Sequence, residues 1–132
     1  MDAFLLWIGA YNALAPLVFV PMVCSDRFAD LVLRRATEII AEPYAHGPYE
    51  RLFLWWVATT NGALGLLMIL ARRWDPSAQR EVAIVVVGVY ACMWLVMLIG
   101  ARGPKWGRGI WVTHALWLAQ LAWGIHAIAT HP

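Results

Sequence analysis

Two sets of side chains in this sequence have the types and spacing to do chemistry. Asn12, Asn61, Tyr90 and Gln120 each stand near the middle of a long apolar run, and His46, Glu50 and His114 stand near the ends of such runs. Amides and a phenol offer hydrogen-bond donors and acceptors without charge, so the first set suits a neutral ligand such as a quinone, a sterol or a lipid headgroup. It cannot balance an ion or carry protons by itself. Two imidazoles and a carboxylate are ligands for a divalent metal, which makes His46, Glu50 and His114 the candidate metal set, with Tyr49 and Arg108 nearby. The bland reading of these histidines, hydrogen-bonded to water or headgroups at an interface, outweighs the metal reading, because HGPYE is not an established ligand pattern.

Other chemistry is poorly represented. His114 and His126 share one apolar run, where twelve helical residues separate them by about 18 Å, so they cannot clamp a single haem iron. There is no glycine-rich phosphate loop, no serine elbow and no zinc-ligand spacing, so no catalytic residue is assigned. Cys24 and Cys92 fall at different depths of two apolar runs and read as small packing residues.

The elements that would position these residues follow from composition. Of 132 residues 62% are hydrophobic and only 14% are charged, too few charges to clothe a soluble globule of this length. Apolar runs over residues 3–23, 52–71, 82–100 and 110–130 are each about long enough to cross roughly 30 Å of hydrocarbon as a helix. None alternates as a barrel strand would. The expected fold is therefore all-α: an integral membrane four-helix bundle with four transmembrane helices in a single domain over residues 1–132. The N-terminal run lacks a basic leader and reads as a retained helix.

RRWDPSAQRE and ARGPKWGRG read as tight turns. The longer link carries Phe28, Leu31, Val32, Ala36 and Ile39 at helical spacing after the capping candidate Ser25. That pattern predicts a short amphipathic helix over residues 25–42, lying at the membrane interface between the first and second spans. Arg27, Arg34, Arg35, Arg51, Arg102, Lys105 and Arg108 lie on the side of that link, against Arg72, Arg73 and Arg80 on the other. The excess predicts that the link is cytoplasmic and both termini outside, in a bacterial inner membrane. Trp74, Trp106, Trp111 and Tyr49 fall at the expected interfaces, whereas Trp55, Trp56, Trp94, Trp117 and Trp123 lie deeper, as packing bulk or as a wall for a ring-shaped ligand.

The midplane polar residues keep small neighbours on one face: Gly9, Asn12, Ala13 and Pro16; Ala58, Asn61, Gly62 and Gly65; Thr113, Trp117, Gln120 and Gly124. Small residues let helix backbones close up in lipid, and amides on the same face can hydrogen-bond across the contact. A structural clasp is thus weighed against a polar pocket. Pro16 should bend the first helix beside Asn12, Pro21 should help end it, and Thr59 and Thr60 are expected to bond back to their own helix.

These features favour an accessory or scaffolding subunit of a larger membrane assembly, with membrane lipid and other membrane subunits or a second copy as partners, and no nucleic acid. The alternative is a small membrane enzyme or carrier that holds bound lipid, sterol or quinone at the midplane pocket.

Overall fold

A computed structural model describes residues 1–45, 47–100 and 105–130. Among these residues the chain is helical throughout apart from its connections, as expected where buried or lipid-facing backbone must satisfy its hydrogen bonds within each segment. Helices α1 (Asp2–Leu14) and α2 (Pro16–Cys24) form one long apolar rod broken at Ala15. Pro16 has no N–H to give, and the Ala15 N–H turns instead to the Asn12 carbonyl at 3.1 Å. Pro21 does not end the rod. It sits inside α2, which runs on to Cys24 and stops where Ser25 becomes an N-cap.

Ser25 opens α3 (Asp26–Asp30), its Oγ accepting the Phe28 N–H at 3.2 Å. A π-helical segment, Leu31–Ala36, follows directly. The helix expected to reach residue 42 therefore ends at Ala36. Three local bonds close it: Thr37 Oγ1 donates to the Val32 carbonyl at 2.7 Å, and the N–H groups of Ile39 and Ile40 both return to the Leu33 carbonyl. Glu38 then turns the chain with φ at 51°. Beyond it the backbone finds partners in the connection before the last helix, through Ala41 N–H to Lys105 O and Gly107 N–H to Ile39 O.

The wider π turn also changes which residues face inward. Ala29 is fully buried against Met22 and Leu54, with Phe28, Val32 and Leu33 packed around them, whereas Leu31 and Ala36 of the expected apolar stripe are exposed. The link thus leans on α2 and the helix after it.

That helix is α4 (Pro48–Ala71), followed by α5 (Pro76–Gly100) and α6 (Gly109–Thr130). Asp75 starts α5 by accepting bonds from Ser77 Oγ and the Ala78 N–H. Arg72 holds Asp2 by two bonds of 2.7 and 2.9 Å, tying the start of α1 to the end of α4.

Among the described residues three helices are long and apolar enough to cross a membrane: Asp2–Cys24, Tyr49–Ala71 and Pro76–Gly100. At 22 residues α6 spans about 33 Å, but Thr113, His114, Gln120, His126 and three tryptophans dilute its hydropathy. The main core joins α1, α4, α5 and α6 through Phe4, Leu5, Ile8, Met68, Val86 and Leu121.

Candidate functional site

A close helix–helix approach builds one wall of the site. A Cβ placed on Gly65 of α4 would run into the Ala13 amide and the Gly9 carbonyl of α1, and one on Gly62 would meet the Pro16 ring. Two of the three small-residue faces read from the sequence therefore meet, and they carry Asn12 and Asn61 inward to 3% and 5% exposure. Asn12 Nδ2 spends one proton on its own helix, donating to the Ile8 carbonyl at 2.6 Å. Asn61 Oδ1 is buried with no hydrogen-bond partner among the described residues. Thr59 returns its hydroxyl to the carbonyls of Trp55 and Trp56, as its position suggested.

The second wall is a ladder of rings between antiparallel α5 and α6. Tyr90, 1% exposed, meets Trp117 edge to face at 5.1 Å between ring centroids. One turn further along α5, Trp94 stands perpendicular to His114 at 6.5 Å, and Trp111 approaches His114 from its own helix at 5.7 Å. The spacings Tyr90/Trp94 and His114/Trp117 put each pair on one helix face. Gly124 completes the approach, because a Cβ there would press on Val87 and Phe4.

The polar tips of this ladder are buried without partners. Tyr90 Oη lies beside the Asn12 side chain yet completes no hydrogen bond, and the same holds for Trp94 Nε1 and for both ring nitrogens of His114. Together with Asn61 Oδ1, four side chains from α4, α5 and α6 leave polar atoms unsatisfied. A buried polar group left so costs about 1–3 kcal/mol, and hydrocarbon offers it no relief. The groups include hydroxyl, indole and imidazole donors with one amide acceptor, and no charged side chain is among them. Each of these groups can hydrogen-bond a neutral partner.

The structure distributes the remaining sequence candidates unevenly. Gln120 is only half-buried and is not one of the unsatisfied groups. Glu50 is exposed in the first turn of α4, and His46 lies outside the described residues. His114, expected at an interface, is 5% exposed and packed between indoles. Among the described residues no three His, Cys, Asp or Glu side chains gather as metal ligands. Cys24 and Cys92 are exposed rather than packed.

Trp94 was legible in the sequence only as one of five deeper tryptophans, packing bulk or a wall for a ring-shaped ligand, and not as a polar candidate. Its position four residues after Tyr90 was the available signal, masked by the other tryptophans, of which Trp55 and Trp56 are exposed and Trp123 packs on Phe4. Comparison with protein-family models, with curated proteins and with solved structures returns no match for this chain.

Proposed function

We propose that this chain is a four-span integral membrane protein that binds a neutral, planar, carbonyl-bearing ring of the quinone class in the seam between α4, α5 and α6. The buried, unpartnered polar atoms of Asn61, Tyr90, Trp94 and His114 carry the proposal. Hydroxyl, indole and imidazole protons suit the carbonyl oxygens of such a ring, and the edges of Tyr90, Trp94 and Trp117 suit its apolar body. Binding without a reaction is proposed, with the His114 imidazole serving as a hydrogen-bonding group toward the ring. In this reading α6 is the fourth span, the link after α2 lies at the cytoplasmic face of a bacterial inner membrane, and both termini are outside, as the arginine excess implies.

The test is extraction of purified protein in mild detergent for quinones, followed by titration with a short-chain ubiquinone while tryptophan emission is read. Wild type should carry or bind about one equivalent. Asn61→Leu and Tyr90→Phe should lose binding, and Asn61→Leu should unfold at or above the wild-type temperature, since it removes a polar oxygen that has no partner among the described residues. Wild-type protein that neither retains nor binds a quinone would sink the reading. So would variants that lose thermal stability and keep the ligand, which is the behaviour of a structural clasp.

A second reading, an accessory subunit of a larger membrane assembly, draws on the outward face of α1 and α2. Trp7, Tyr11, Leu14 and Val18 follow helical spacing there and are all exposed, forming a stripe that a partner helix could cover as well as lipid. Recovery of stoichiometric additional polypeptides with the purified chain, lost on Tyr11→Ala, would favour it.

A further inference from the structure

Outside the seam, the link beside the end of α2 has an open cleft of about 390 Å³ lined by Ser25, Arg27, Phe28, Asp30, Leu31 and Arg35. Its charges are unbalanced. Asp30 is already occupied: Arg34 holds both carboxylate oxygens at 2.7 Å and the Tyr44 N–H donates to Oδ1 at 2.9 Å. Arg35 reaches the shared Oδ2 only at 3.4 Å and leaves much of its side chain exposed. Among the described residues Arg27 makes no ion pair, because the neighbouring Asp26 engages Arg51 and Glu38 engages Arg108. Arg34 thus saturates the one carboxylate of the cleft, Arg35 touches it only weakly, and Arg27 makes no ion pair among the described residues, so the cleft keeps positive charge for another anion.

The cleft floor is apolar. Leu31 is exposed between Arg27 and Arg35 at four-residue spacings, and Phe28 is half-buried beside it. The segment is covalently joined to the end of the α1–α2 span and is packed onto α2 and α4 through Ala29, Met22 and Leu54. Cations over an apolar floor at a membrane boundary match a phosphodiester headgroup with its acyl chains running into the bilayer. A fork of guanidinium N–H donors fits phosphate oxygens better than a point charge does.

We infer that Arg27 and Arg35, with Leu31 between them, form a binding site for the headgroup of one anionic phospholipid. Complementarity favours this occupant, since the cleft has surplus positive charge, a greasy base and a position where a span leaves the membrane.

Native mass spectrometry of the full chain, released from detergent containing equal amounts of dioleoyl phosphatidylglycerol and dioleoyl phosphatidylcholine, reads the preference directly. Wild type should retain phosphatidylglycerol over phosphatidylcholine. Arg27→Gln and Arg35→Gln should each lower the preference about fivefold, and the double variant should abolish it. Arg27 is exposed and unpaired, so its substitution leaves the fold intact and carries the test even if the Arg35 variant unfolds. Equal retention of the two lipids by wild type would overturn the inference. The same holds if the double variant keeps the preference, or if Arg73→Gln with Arg80→Gln on the opposite side lowers it as much. Displacement of the lipid by millimolar inorganic phosphate would also overturn it, identifying a soluble-anion site instead.

Discussion

Gly65 of α4 sits so close to Gly9 of α1 that a Cβ on Gly65 would come within 2.6 Å of the Gly9 carbonyl oxygen. The obstacle is backbone on both sides, including the Ala13 amide, so no side chain can swing away to relieve it. Gly65→Ala must push the two helices apart and should destabilise the protein by about 1–3 kcal/mol, the usual range for overpacking. Gly88, in α5, has nothing within 4 Å of its own Cβ position. Gly88→Ala should be neutral or stabilising by up to about 1 kcal/mol through helix propensity. Thermal unfolding of both variants in one detergent checks the pair, and equal midpoints would refute the close-approach argument.

The connection before α6 is fastened to the link by backbone bonds, including Gly109 N–H to Glu38 O at 2.8 Å. A Cβ on Gly109 would collide with the Thr37 carbonyl oxygen, and one on Gly107 with that of Glu38. Gly109→Ala should therefore release the link without unfolding the helices. Faster hydrogen exchange at Ala41, Gly107 and Gly109 is the expected result, with α1 and α4 unchanged. Exchange that stays slow at those three amides would count against this fastening.

Asp30 makes the same link sensitive to acid. The Arg34 guanidinium above all, then the Tyr44 N–H and the nearby charge of Arg35, hold its carboxyl well below the usual carboxylate range. An unfolded aspartate titrates near about 3.9, so the ionised form stabilises the docked link fully above that value. The contribution then fades as the pH falls toward the lower folded value. Exchange at the Tyr44 amide should be flat from about pH 8 to 5, after correction for intrinsic rates, and accelerate below about pH 4. Asp30→Asn should accelerate it at every pH and flatten the acid limb. A wild-type acid limb surviving in that variant would assign the effect to another carboxylate.

The sequence alone determined that the chain is helical and suited to a membrane, because apolar runs of this length admit few other ways to satisfy their backbone. It also determined which faces are narrow. Gly9 with Ala13 and Gly62 with Gly65 could be read as close-approach surfaces from spacing, since the 3.6-residue repeat is a local property. Ser25 was legible as a cap for the same reason.

Tertiary structure decided the rest. Local bonds close the link helix after Ala36, but residues 38–41 then exchange backbone bonds with residues 105–109, partners far away in the sequence. Asn12 bonds within its own helix while Asn61 keeps a buried acceptor unpaired, and a midplane position predicts neither outcome. Trp94 and His114 meet only because α5 and α6 run antiparallel in one register. Helical periodicity states which side of a helix a residue occupies, but the packing of whole helices determines what stands opposite it.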